Sequence, residues 1–146
     1  MDYISDNDLR TEYVNRFFLK PGSPLTNSSL AHDHCRTMIE EVDREHFIVI
    51  FLSARNEVID TEVVHLGTIN QSAVYPREII KKCLDKAATA IICAHNHPSG
   101  NPQPSSDDIR ITKQLKDACK TMAIYFNDHI ILHGENYYSF ADHGLI

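Results

Sequence analysis

Residues 93–111 read CAHNHPSGNPQPSSDDIRI and hold the side chains in this chain best suited to chemistry. His95 and His97 stand two apart at the end of the apolar run ATAIICA. Ser105 and Asp108 open a helical pattern after a loop rich in Pro, Gly, Ser and Asn. In extended backbone, residues i and i+2 point to one face, so both imidazoles aim the same way. Two neutral imidazoles and one carboxylate, with a position left for water, form a common ligand set for catalytic zinc. Ser105-x-x-Asp108 ahead of an apolar helical run also fits a capping box, with Asp where Glu or Gln is more usual. The two readings are compatible, because a carboxylate held at a helix N-terminus is oriented for ligation. A cap accounts for neither the histidine pair nor the prolines between it and the helix. The stretch reads as a hydrolytic metal centre.

His-x-His, seven residues, Ser, two residues, Asp resembles the JAMM motif of the MPN+ metalloprotease superfamily. The fuller string HNHPSGNPQPSSDD, with DHIIL and YYSF downstream, is similar to the RadC family in particular, from roughly Glu45 to the C-terminus. The resemblance implies an α/β fold of deaminase-like MPN architecture, a mixed β-sheet flanked by helices. It implies Zn²⁺ held by His95, His97 and Asp108, with Ser105 donating a hydrogen bond to the oxyanion of an amide under attack. It also implies a glutamate base on a strand upstream of the histidine pair, a few residues before a Gly-Thr. Glu62, five residues before Gly67-Thr68, matches that position.

The residues around Glu62 allow the same assignment. On an expected strand Glu57–Leu66, the side chains of Asp60, Glu62, Val64 and Leu66 share one face. If that face is inward, Glu62 is a carboxylate among apolar neighbours, where desolvation raises its pKa toward that of a general base working near neutral pH. A surface glutamate on a mixed strand is the alternative. Glu78 is the reserve candidate, but Pro76 places it in the first turn of a helix, where it complements the macrodipole.

At 146 residues the chain is one domain by length, with 42% hydrophobic and 23% charged residues. No apolar run approaches a membrane span, and the start MDYISDNDLR has no signal-peptide core. We expect a cytoplasmic protein. Cys35, Cys83, Cys93 and Cys119 form no CxxC pair and fall in apolar periodic segments, which suits buried free thiols. Cys93 shares the face of His95, although the family pattern does not use it as a ligand. The net charge of −6 offers no basic footprint for phosphates, so nucleic acid is not an expected partner.

Residues 1–24 read as an N-terminal arm with an aromatic patch (Tyr13, Phe17, Phe18) and a PGSP breaker, able to dock on the domain or on a neighbouring molecule. Residues 25–146 read as the metal-binding domain. Many RadC-like proteins carry a helix-hairpin-helix module before that domain, and the arm is too short for one. An amphipathic helix is expected over 27–42. His32 and His34 diverge by about 200° around its axis, so they share no metal and suit a solvated face. HFIVIFLSA suits a buried central strand. A helix over 76–87, a strand Ala87–Ala94 delivering the histidines, a helix from about Ser106 to Met122 and two closing strands around Gly134-Glu135-Asn136 complete a two- or three-layer α/β domain. Asp128-His129 fits a buried hydrogen-bonded pair better than support for the metal ligands.

These readings lead to a zinc-dependent hydrolase acting on a protein, peptide or other amide substrate. Nucleobase deamination requires His-x-Glu and a Pro-Cys-x-x-Cys that the chain lacks. A DNA-processing nuclease conflicts with the acidic composition. A non-catalytic metal-binding scaffold or a repair-associated accessory protein is the reading from another class, and a homodimer is compatible with the sequence.

Overall fold

The computed structural model describes residues 5–70 and 73–146; residues 1–4 of the expected arm and positions 71–72 lie outside the described residues. HFIVIFL has no polar residue after its first position, so it is stable as a strand only when both faces are covered. It forms β1 (His46–Leu52), and all seven residues are buried. β1 pairs antiparallel with β2 (Val58–Leu66) and with β3 (Ala90–Asn96). β3 runs parallel to β4 (Tyr125–His133), and β5 (Asn136–Ser139) folds back on β4, giving the order β2-β1-β3-β4-β5. A parallel pair needs a crossover, and α4 (Ser106–Thr121) supplies it between β3 and β4. The sheet is mixed and helix-flanked, as expected.

Cores lie on both faces, which makes the domain three-layered. Phe47, Val49, Ile91 and Cys93 pack on one side with Ile79 and Cys83 of α3 (Pro76–Asp85) and Ile111, Leu115 and Cys119 of α4. Ile48, Ile50, Ile92 and Ile130 pack on the other with Ala31 and Cys35 of α2 (Ser28–Thr37). All four cysteines are buried and free. The expected arm contains a helix, α1 (Asp6–Phe17), which buries none of its residues. It is tied to α2 by Arg10 Nη2–H to the Thr37 carbonyl (2.9 Å) and by the Tyr13 hydroxyl to the Asp33 carbonyl (3.3 Å).

Two expectations need correction. α2 ends at Thr37 rather than near Val42. Glu40, Glu41 and Asp43 follow it, and carboxylates are unfavourable at the negative end of a helix. His32 and His34 do diverge, but neither is solvated: their relative exposures are 4% and 0%. The β4–β5 turn covers one and the arm covers the other. His32 Nε2 meets the Gly134 carbonyl at 2.9 Å and stacks on Tyr137. His34 Nδ1 accepts from the Leu19 amide at 2.8 Å, so the neutral ring carries its hydrogen on Nε2, which reaches Thr61 Oγ1 at 2.8 Å.

His34 therefore pins the arm to both α2 and the sheet, and burial pushes its pKa down to about 4 from 6.5. An unfolded chain binds that proton more readily. The contribution of His34 to stability is complete above about pH 6.5 and is lost as pH falls to about 4, a difference of up to about 3 kcal/mol. Urea unfolding should show stability falling across that window. His34→Leu should be less stable than the parent at neutral pH and should flatten part of the fall. An unchanged pH dependence in the variant would assign the fall to other groups.

Candidate metal centre

β3 ends at the carboxyl edge of its parallel pairing with β4, the side on which open α/β sheets place their ligands. His95 is the penultimate residue of the strand, and His97 follows it with its amide bonded to the Leu132 carbonyl (2.9 Å). The extended path continues past the strand end, so the rings converge as expected, with Nε2 atoms 3.0 Å apart. The loop then turns at Gly100, whose φ of +106° suits glycine. It places the Asn101 carbonyl 2.7 Å from His97 Nδ1. A carbonyl only accepts, so His97 carries a hydrogen on Nδ1, and the neutral ring has its lone pair on Nε2.

The loop delivers Ser105 as the N-cap of α4. Ser105 Oγ accepts from the Asp108 amide (3.1 Å), and the Asp108 carboxylate accepts from the Ser105 amide (2.8 Å), completing the capping box. The same carboxylate meets His95 Nε2 through Oδ1 and His97 Nε2 through Oδ2, both at 3.0 Å. Capping and ligation are thus one geometry. His95, His97 and Asp108 are the group of metal-ligating side chains found among the described residues, with ligand atoms within 4.8 Å of one another. A tetrahedral site with metal–ligand distances of about 2.0–2.1 Å separates its ligands by about 3.3 Å. The observed spacing is close to that.

The electrostatics favour positive charge among the three. The hydrogen bond to Asp108 raises His97 above its ordinary value, against the opposing effect of burial. Burial alone would push Asp108 up, but positive charge at the facing His95 and His97 nitrogens, whose Nε2–H groups it would accept from, holds it well below the usual carboxylate range. Cys93 is in the apolar core beneath, where burial raises its thiol, and is no part of this group.

The ligands border a cleft of about 400 Å³ lined by Glu45, Ile69, His97, Pro98, Ser99, Ser105 and Asp108. Glu45 immediately precedes β1. Phe47 pairs with His95, so the antiparallel register continued by two positions sets Glu45 opposite His97. Asn96, on the other face of β3, fixes this junction: it accepts from the His46 amide (2.7 Å) and donates to the Arg44 carbonyl (2.8 Å). The Glu45 side chain accepts from the Ile69 amide, which holds the carboxylate at the rim.

Glu62 is not brought to the cleft, and its expected role as base is corrected. Its strand partner is Val49, whereas the residue level with His95 through Phe47 is His65. Glu62 is thus two strands away from β3, about 10 Å across the sheet, as well as three positions further along β2. It is about one-third exposed and sits between Lys82 (3.4 Å) and Lys86 (3.9 Å). Asp60, Glu62 and Val64 do share the sheet face toward α3, but the Glu62 carboxylate there faces two lysines, so its setting is charged rather than apolar. Glu78 is also absent from the cleft, standing beside Arg77 at 3.7 Å. A carboxylate just before the strand that neighbours the ligand strand was the signal for Glu45.

Asp128 and His129 play separate parts. Asp128 accepts from Ser139 Oγ (2.5 Å) and the Ala141 amide (3.0 Å), tying β5 and the following turn to β4. His129 is fully buried, and its Nε2 lies 2.8 Å from His95 Nδ1, so it contacts a ligand directly.

A helix-flanked mixed sheet thus presents two histidines and a helix-capping aspartate at a strand end, a group that could hold a metal ion. A family profile described as RadC-like JAB domain matches residues 25–145, and the chain belongs to that family. It is 38% identical over 141 residues to a UPF0758 protein of Bacillus cereus strain AH187, covering 94% of this chain and 59% of the relative. UPF0758 proteins of Bacillus anthracis strain A0248 and Bacillus thuringiensis subsp. konkukian strain 97-27 show the same identity over 142 residues with the same coverage. The chain thus spans 59% of the length of these curated relatives. No helix among the described residues is long and apolar enough to cross a membrane.

The capping box predicts a stability effect. Ser105→Ala removes one of its two hydrogen bonds and should destabilise the domain by about 1 kcal/mol. Ser105→Asp, which keeps an acceptor at the cap, should recover most of that loss in urea unfolding.

Proposed function

We propose that this domain is a zinc-dependent hydrolase of the JAMM type, cleaving a peptide, isopeptide or related amide bond. The observation that carries this reading is the convergence of His95 Nε2, His97 Nε2 and the Asp108 carboxylate at 3.0 Å contacts on a cleft that also holds the Glu45 carboxylate. The donor set fits zinc: two imidazole nitrogens and one carboxylate, with room for water on the cleft side. When bound there, zinc would lower the pKa of a coordinated water and polarise a carbonyl.

The protein's own groups would do the rest. Glu45, held at the rim by the Ile69 amide, accepts the proton of the attacking water and returns it to the leaving amine. Ser105 uses only an acceptor lone pair in capping α4. Its hydroxyl hydrogen is free to be donated to the developing oxyanion, a contact whose loss costs about 2.7–4 kcal/mol in other enzymes. Asp108 holds the metal and the first turn of α4 together, so the donor at Ser105 and the ligand cannot drift apart. The substrate is expected to be a protein, peptide or small amide rather than nucleic acid, given the net charge of −6.

Metal analysis of protein purified without added zinc should give about one zinc per chain, lost in His97→Ala. Glu45→Gln should keep the metal and abolish turnover against a panel of peptide, isopeptide and small-molecule amides, whereas Glu62→Gln should keep both. Metal uptake with no hydrolysis of any amide by the parent would replace the enzyme reading with a metal-binding scaffold. Full activity in Glu45→Gln would remove Glu45 as the base.

A further inference from the structure

A hydrogen-bond chain runs behind the ligands, and its polarity can be worked out from atoms that have only one option. Thr112 Oγ1 lies 2.7 Å from the Asp108 carbonyl one turn earlier in α4. A carbonyl cannot donate, so the Thr112 hydroxyl hydrogen points at it. That hydroxyl has a single hydrogen. The contact between Thr112 Oγ1 and His129 Nδ1 (2.5 Å) must therefore have Nδ1–H as donor.

His129 is fully buried, and its ring is covered by Phe47 and Phe140. Its two ring nitrogens meet Thr112 Oγ1 and His95 Nδ1 and no carboxylate among the described residues, and an unpaired charge in that apolar setting is costly, so the ring is neutral. With its one hydrogen on Nδ1, its Nε2 can only accept. The partner at 2.8 Å is His95 Nδ1, which must then donate. The neutral His95 ring is left with its lone pair on Nε2, the atom facing His97 and Asp108.

We propose that Thr112 and His129 are positioning residues that set the tautomer of His95, so that Nε2 presents a lone pair to the metal. The inference rests on the metal-centre reading above and adds what makes the centre receptive. The hydrogen-bond chain begins at the backbone of one ligand, Asp108, and ends on the ring of another, His95. Closing the first turn of α4 and orienting the β3 ligand are thereby linked. The reverse polarity would put the Thr112 hydrogen on His129 and leave two oxygens facing each other at 2.7 Å with no hydrogen between them. Without the Thr112 hydroxyl the reverse order becomes the cheaper one. A buried N–H with no acceptor is costly, so His129 would move its hydrogen to Nε2 and donate to His95 Nδ1. His95 would then carry its hydrogen on Nε2, where the metal must bind.

Zinc affinity, measured by competition with a chromophoric chelator, tests this in the full chain. Thr112→Val keeps the shape and removes the hydroxyl; it should weaken zinc binding by about 10–100-fold, the range for partners of ligating histidines. Thr112→Ser should bind like the parent. Leu115→Ala, which opens the core under the same helix without touching the hydrogen-bond chain, should lose stability while keeping zinc affinity. Parent-like affinity in Thr112→Val, or an equal loss in Leu115→Ala, would overturn the proposal.

A second readout needs no metal. Long-range ¹H–¹⁵N correlation of the metal-free protein at about pH 9, above the ordinary histidine range, reports which nitrogen of each ring is protonated. We expect hydrogen on Nδ1 of His95 in the parent and on Nε2 in Thr112→Val. Hydrogen on Nε2 in the parent would overturn the proposal. This readout also separates the two readings: a parent that takes up no zinc but shows the expected tautomers would remove the metal hydrolase and leave the hydrogen-bond chain standing.

Discussion

Two imidazole lone pairs and a carboxylate at 3.0 Å from one another repel unless positive charge sits among them, and this crowding is the constraint on which the rest of the site depends. Here the backbone carbonyl of Asn101 and the Thr112–His129 pair each draw the ring hydrogen to the rear nitrogen of a histidine, so both rings meet front to front without one. The stability of the surrounding framework is what allows that arrangement to persist. Asp108 belongs to both, because the carboxylate that completes the crowded group also closes the first turn of α4.

The framework is built to hold four chain segments at one point. β1 and β3 are buried on both faces, so neither can slide by one residue without moving its whole apolar set out of register. Parallel pairing of β3 with β4 sets His129 behind His95, and α4, as the crossover between those strands, must begin where β3 ends. Asn96 locks the start of β1 to the end of β3 from the opposite face, which brings Glu45 level with His97. Asp128, through Ser139 and Ala141, holds the closing strand and turn against β4 on the side of Phe140 that covers His129.

Local patterns in the chain carried much of this. The continuous apolar runs HFIVIFL and ATAIICA required buried strands, and the breaker-rich loop with Ser105 and Asp108 marked a helix start. The i, i+2 spacing of His95 and His97 put both rings on one face, because that periodicity belongs to the extended backbone and needs no partner strand. Glu62 failed for a different reason. Its position before Gly67-Thr68 and its place on a strand face say nothing of its distance from the cleft, and strand order puts β1 between β2 and β3 while the register sets Glu62 level with Val49 rather than with Phe47. His32 and His34 diverged as helix geometry requires, yet burial came from the arm and the β4–β5 turn, which no local pattern announces.

The sequence by itself determined the ligand types, their spacing, the cap that orients Asp108 and the strands that must be buried. All of these follow from short-range geometry and from the cost of exposing apolar runs. Only the tertiary structure decided that Glu45 rather than Glu62 stands at the cleft, that Asn96 fixes it there, and that His129 and Thr112 stand behind His95. Those relations depend on strand order, register and bulges, which arise when segments tens of residues apart pair through backbone groups that are chemically alike in every residue.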